Sequence, residues 1–185
     1  CRRSEIIHKM EENGVHIGLL PIRKENQADS TATLERIRKN GWDCCEVIED
    51  PECLFLGSGH PLALTGKITP QMLAQVPLGT YSHVNDDNWL LFGHYFSGEA
   101  GFRCHSKDAI LQYVAQNRCA AIFPRFTSQY EYFVSQGAVQ PVMVHGLDFG
   151  HATFLLVHQS GKSLLREEQS VVCALKRYFK DCTCK

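Results

Sequence analysis

An excess of charge of either sign is missing from this 185-residue sequence: 19 Lys and Arg stand against 20 Asp and Glu, a net charge of -1. Without a basic field the segment has no sequence-independent hold on a polyanion, which excludes it as a self-sufficient nucleic-acid binder. Long apolar runs are missing too, and none approaches the ~18 residues of a membrane helix. The opening Cys1-Arg2-Arg3-Ser4-Glu5 is basic but leads into no apolar stretch, so it does not read as a secretory signal. There is no internal repeat and no low-complexity segment. Hydrophobic residues at 44% and charged ones at 21% describe an ordinary globular chain, which excludes disorder, collagen and coiled coil as whole-chain descriptions.

Motifs for nucleotide and hydrolytic chemistry are absent as well. Gly66-Lys67 fails as a phosphate loop, because Pro61 stands where the first Gly is needed and Ile68 where Ser or Thr is needed. No Gly-x-Ser-x-Gly and no His-Glu-x-x-His occurs, and no nucleophile–base pair follows from spacing. The sequence therefore points to no catalytic residues.

Cysteine is plentiful, with 9 residues, an odd number, scattered from Cys1 to Cys184. Several sit in apolar runs such as Arg118-Cys119-Ala120-Ala121-Ile122-Phe123 and read as small buried hydrophobes. The expectation is reduced thiols in a cytoplasmic protein rather than a disulfide scaffold. Zinc ligands come in close pairs that converge on one ion. Cys182-Thr183-Cys184, vicinal Cys44-Cys45 and Cys104-His105 offer no second pair, and His145 and His151 only flank a turn. No metal and no cofactor is expected.

Apolar periodicity and stop signals give an alternation of helices and strands. Ser4 caps a helix to Asn13 with Ile6, Ile7 and Met10 inward, and Gly14 takes the left-handed position after it. Val15 to Leu20 reads as a strand covered on both faces and ended by Pro21. Glu25 to Ser30 is a polar loop, and Thr31 to Asn40 a helix with Leu34 and Ile37 inward. Cys44–Ile48 and Cys53–Leu56 are two extended pieces separated by Glu49-Asp50-Pro51-Glu52. Thr69-Pro70 starts a helix, and Pro77 to Tyr81 is a strand. Periodicity does not resolve Ser82 to Gly101. Ser106 caps a helix with Ile110, Tyr113 and Val114 inward. Cys119 to Phe123 is a buried strand stopped by Pro124, and Phe126 to Ser135 is a helix ended at Gly137. Val139–Val144 and Ala152–Val157 are strands. Ser163 caps a last helix striped with Val171, Val172, Leu175, Tyr178 and Phe179. The class is α/β with largely parallel sheets.

The order of segments carries a resemblance. Asn13-Gly14 followed by Val15-His16-Ile17-Gly18-Leu19-Leu20 resembles the "G-x-(L/V)-D-(L/I)-A-(I/L)" segment of LysR-type transcriptional regulators, with His16 in place of the Asp. Cys53-Leu54-Phe55-Leu56 running into His60-Pro61-Leu62-Ala63 is similar to their strand before "H-P-L-A". Ile68-Thr69-Pro70-Gln71-Met72-Leu73 with Val76-Pro77-Leu78, and Val114-Ala115-Gln116-Asn117-Arg118-Cys119-Ala120-Ala121-Ile122-Phe123-Pro124, resemble two further motifs. In the last of these Asn117 replaces the usual Gly.

The resemblance implies an effector-binding domain like type 2 periplasmic binding proteins: two lobes of mainly parallel sheet flanked by helices and joined by two crossover strands. Lobe I would take residues 1–50 and 148–185, and lobe II residues 51–147. The first strand–helix–strand of lobe I and the helix-turn-helix DNA-binding domain are expected to be missing from this chain. A small organic effector, a carboxylate by expectation, would bind between the lobes at strand ends. Those ends are Pro21 and Ile22, Thr80, Tyr81 and Ser82, and Phe123, Pro124 and Arg125. DNA would be reached only through the missing domain, and the full-length regulator would be a homo-oligomer, with the Ser4 helix near the pairing face. A solute-binding protein of a transporter and an enzyme on the same scaffold are the alternatives.

Overall fold

The computed structural model describes residues 3–23, 27–82, 87–97, 100–160 and 164–183. The chain divides into two units: unit 1 is Cys1–Asp50 with His151–Lys185, and unit 2 is Pro51–Gly150. No helix among the described residues is long and apolar enough to cross a membrane.

Unit 1 contains α1 (Arg3–Glu11), β1 (Ile17–Ile22), α2 (Gln27–Lys39), the first half of β2 (Asp43–Gly57), β7 (His151–His158) and α7 (Arg166–Thr183). Its strands lie in the order β1-β7-β2. β1 and β7 are antiparallel, from Ile17 opposite His158 to Ile22 opposite Thr153. Leu20 and Ile22 pack with Ile7, Met10 and Ile37 on one face, while Ile17 and Leu19 pack with Leu164, Val172 and Leu175 on the other. Helices on both faces explain why β1 reads as a near-continuous apolar run. Gly18 lets α1 come close: a Cβ there would lie 2.9 Å from Ile6 Cγ2 and 3.0 Å from Met10 Sδ.

Unit 2 contains the rest of β2, then β3 (Leu78–Tyr81), α3 (Asp87–Phe92), β4 (Ala100–Cys104), α4 (Lys107–Ala115), β5 (Ala121–Pro124), α5 (Arg125–Ser128), α6 (Tyr132–Ser135) and β6 (Val139–Val142). β3 pairs β4 in parallel and meets Ala120, beside β5, through a parallel bridge at Leu78. β2 runs antiparallel to both β5 and β6. The parallel neighbours expected of an α/β chain are therefore those linked through helices. Antiparallel pairs enter at β2 and β7, the strands that carry the chain across the unit boundary. One face of the unit 2 sheet buries Leu54, Leu56, Leu78 and Ile122 with Leu73 and Phe96. The other buries Phe55, Ala121 and Phe123 under Ile110, Leu111 and Val114 of α4.

Several local expectations change. Pro21 lies inside β1 rather than ending it, and Pro51 lies inside one 15-residue strand β2 rather than in a break. Proline withdraws one donor but its φ suits extended chain, and among the described residues β1 is the edge strand of its sheet, where a missing donor on the open side costs little. Ser4 is the second residue of α1 rather than its cap, and α2 begins at Gln27, before the expected Thr31. Leu34 is 37% exposed; Ser30, Thr33 and Ile37 form the buried stripe. Thr69 makes no side-chain cap, although Pro70 does open a short 3-10 helix, Pro70–Gln75. Phe126–Ser135 is split into α5 and α6. In α7 Val172 and Phe179 are buried, whereas Val171 and Tyr178 are about half exposed. Ser106 caps α4 as expected, accepting the Ala109 amide. The Ser163 cap falls outside the described residues.

Asn13 and not Gly14 takes the left-handed conformation after α1, with φ 56°. The Asn13 amide reaches Met10 O at 3.1 Å and the Gly14 amide Lys9 O at 2.9 Å. Asn117, φ 59°, repeats the arrangement after α4, with Asn117 to Val114 O at 2.9 Å and Arg118 to Tyr113 O at 3.1 Å. These bonds satisfy the last helical carbonyls, and asparagine is a side chain that tolerates the left-handed region. That accounts for Asn117 standing where the resembling motif has glycine.

Candidate functional site: the carboxyl edge of the unit 2 sheet

Three parallel segments of unit 2 finish side by side. Register sets Thr80 beside Arg103 and Tyr81 beside Cys104 on β4. On the other side the Gly79 amide donates to Ala120 O at 2.7 Å, which aligns β3 with β5. The Ser82 amide donates to Cys104 O at 3.0 Å and prolongs the β3–β4 pairing by one residue. Strand ends of this kind are where ligands of open α/β sheets bind.

Alternation along the strands sorts the expected site residues onto two faces. Thr80 shares its face with Leu78. It is 2% exposed, and its Oγ1 is buried with no hydrogen-bond partner among the described residues. Arg103 lies opposite Thr80 in register on the neighbouring strand β4, and its side chain is exposed. Ser82 is exposed at the strand end.

Tyr81 and Phe123 belong to the opposite face, under α4. Their rings meet edge to face at 6.1 Å, and Phe123 also tilts against Phe55 at 6.2 Å. Phe123 is only 5% exposed and sits in the apolar cluster with Ile110 and Val114. The expectation that Phe123 stands at the rim as a pocket wall is corrected: Pro124 continues β5 by one residue, which leaves Phe123 in the core. Lys107 Nζ lies 5.1 Å from the Phe123 ring centre and 3.0 Å from Glu131 Oε1, tying α4 to the segment before α6. Pro124 is half-buried, opposite Glu52 of β2, and Arg125 is the exposed first residue of α5.

In unit 1, Pro21 is exposed on β1, and Arg3 Nη1 donates to its carbonyl at 3.1 Å. Ile22 is 3% exposed and packs in the core with Ile7 and Met10. Of the expected residues in unit 2, Thr80 and Ser82 fall at one strand end, whereas Tyr81 and Phe123 lie on the other face of the sheet, against α4.

Arg103 and Lys107 were missed from sequence. Arg103 lies on β4, just past the Ser82 to Gly101 stretch that periodicity does not resolve. Lys107 follows the Ser106 cap directly, and that cap was the signal that could have placed it. Among the described residues no three His, Cys, Asp or Glu side chains group as a metal site would require. Buried Cys119 has its thiol pushed up to about 12 by burial, an effect that the backbone contact with Gly79 only partly opposes. It is a packing residue.

No curated protein matches the chain. Solved structures do match over nearly its whole length. The CcmR regulatory domain of Synechocystis PCC6803 in complex with 2-PG is 14% identical, with a TM-score of 0.68 over 97% of this chain and 81% of that one. The reduced OxyR regulatory domain of Pseudomonas aeruginosa is 12% identical, with a TM-score of 0.68 over 98% and 80%. The effector-binding domain of QuiR in complex with shikimate is 12% identical, with a TM-score of 0.66 over 98% and 79%. Identities this low speak to the fold, which is the two-unit α/β fold described above. Sequence similarity then supplies the assignment: residues 13–180 match the LysR substrate binding domain, and the chain belongs to that family.

Proposed function

We propose that this chain senses a small organic effector, carboxylate in class, held at the carboxyl edge of the unit 2 sheet. Binding rather than turnover is the role, and the two units are the two lobes of an effector domain. The bound state is read out by a helix-turn-helix region of the same regulator, in a cytoplasmic homo-oligomer. The observation that carries this reading is Thr80: a buried hydroxyl without a partner among the described residues, at a strand end, opposite Arg103 in register. An unsatisfied buried hydroxyl costs about 1–3 kcal/mol, so its retention at this edge calls for a reason. An anion that accepts from the hydroxyl and pairs with the guanidinium supplies one, because hydrogen bonds to charged groups are among the strong ones. Two similar domains were solved with small molecules, one with 2-PG and one with shikimate.

The test is calorimetric titration with shikimate and a panel of small carboxylates and organic phosphates. Thr80→Val should weaken the best binder about ten- to hundredfold, since ~1.4 kcal/mol is tenfold. Arg103→Met should weaken anions more than neutral analogues. Equal affinity in wild type and both variants would remove this edge as the binding site.

A further inference from the structure

Unit 1 carries a cavity of its own, at the end of its sheet where β7 finishes opposite Ile17, the first residue of β1. α1 and α2 finish there too. The space, about 280 Å³, is bordered by Glu11 and Asn13 at the end of α1, Asn40 and Trp42 at the end of α2, and Gln159 and Ser160 beyond β7. Drug-sized ligands occupy roughly 300–1,000 Å³, so this space suits a single small ring. Trp42 is half-buried, packed against the cluster of Ile7, Met10 and Ile37, and offers the cavity its one aromatic surface.

The border is polar but holds no unpaired charge. The Glu11 carboxylate is taken by Arg36, at 2.6 Å to Nη2 and 3.1 Å to Nε. Helix C-termini disfavour an anion, and Arg38 and Lys39 in the last turn of α2 already offset their pull on a cation. What is left to bind with is neutral. Gln159 Nε2 donates to Asn13 Oδ1 at 2.9 Å, and Asn40 Nδ2 donates to Arg36 O at 2.9 Å. These bonds fix the three amides and leave Gln159 Oε1 and Asn40 Oδ1 as acceptors and Asn13 Nδ2 as a donor, without other partners among the described residues. The Ser160 hydroxyl can do either.

We infer that this cavity binds one uncharged polyhydroxyl ring, a monosaccharide in class, with its C–H face against the Trp42 indole. A hydroxyl both donates and accepts, so a ring of hydroxyls meets the mixed amide border without leaving a charge to be balanced. An aromatic face supplies rigid apolar contact at low entropic cost, and a few fixed polar groups set the orientation. A carboxylate would face two helix C-termini here, and an ammonium would face the guanidinium and lysine of the same turn. The class therefore differs from the carboxylate proposed for the edge of the unit 2 sheet.

Heteronuclear NMR of the full chain, titrated with glucose, galactose and N-acetylglucosamine, tests this, with acetate and methylamine as charged probes. The Trp42 indole signal, identified by its loss in Trp42→Phe, should shift and saturate in the millimolar range with at least one sugar and with neither charged probe. Gln159→Ala and Asn40→Ala should each weaken that sugar about two- to tenfold, the span of one neutral hydrogen bond. Circular dichroism checks that both fold, and Ser160→Ala, at an exposed residue, gives a third variant that should weaken the sugar if either does not. Thr80→Val should leave sugar binding unchanged, which keeps this site separate from the edge of the unit 2 sheet. No saturable shift with any sugar, a stronger response to acetate or methylamine, or affinity unchanged in every folded variant would each overturn the proposal. So would loss of sugar binding in Thr80→Val.

Discussion

Nδ1 of His16 lies 2.7 Å from Oε1 of Glu168, and the other oxygen of that carboxylate accepts the Leu165 amide at 2.8 Å. One side chain therefore closes the first turn of α7 and fastens it to the start of β1. The reach from the third helical residue back to the amide before the helix is the acidic half of a capping box. The amide of Leu165, first, and His16, second, hold the Glu168 carboxyl below its ordinary value.

The sign of the pH effect follows from that lowering. A carboxyl whose folded pKa is depressed stabilises the fold above its unfolded value, about 4.3 for glutamate, and loses that contribution as pH falls through the lower folded value. Glu168→Gln should lower the melting temperature at pH 7, and the gap to wild type should close in the most acid buffers that the fold survives. A gap that does not change with pH would assign the loss to packing and not to charge.

Gly57 ends β2 against the end of α4. A Cβ at this position would lie 2.3 Å from Asn117 Oδ1 and 2.5 Å from Val114 O, and the second atom is backbone that cannot step aside. Gly57→Ala should cost about 1–3 kcal/mol in chemical denaturation, the range of core overpacking. Asn117→Ala should cost about 1–2 kcal/mol through its left-handed φ, and Asn117→Gly should not.

Thr80→Val has an outcome of its own in the ligand-free protein. Replacing a buried hydroxyl that has no partner among the described residues by a methyl of the same shape removes a desolvation penalty of about 1–3 kcal/mol, so thermal stability should hold or rise. Leu54→Ala, at a residue with 0% exposure, should by contrast lose about 2–5 kcal/mol. If Thr80→Val behaved like the leucine, the hydroxyl would have a structural partner and the effector reading would lose its support.

Thiol labelling should separate the cysteines by exposure. Cys173 is exposed, while Cys119 is buried with its thiol raised to about 12. At pH 8 a maleimide should modify Cys173 rapidly and Cys119 only after denaturation, since the thiolate is the reactive species. Mass spectrometry of a native time course distinguishes the two.

What the sequence determined by itself was local or chemical. Ile7 with Met10 and Ile110 with Val114 repeat at helical spacing, so one face of α1 and one of α4 had to be buried. Ser106 caps and Gly41 and Gly137 stop because their side chains, or lack of one, suit those backbone angles. The ordered motifs from Asn13 to Pro124 marked the family. What only tertiary structure decided was pairing and facing. Pro51 is a break signal in the sequence, but pairing with β5, β6 and β7 holds β2 extended through it. Phe123 and Thr80, both read as site residues, lie on opposite faces, because the alignment of β3 with β5 puts Phe123 beside Tyr81 under α4. Arg103 could be placed next to Thr80 only once β4 had found β3. A strand's own pattern says which of its residues alternate, and its neighbour decides which of them meet.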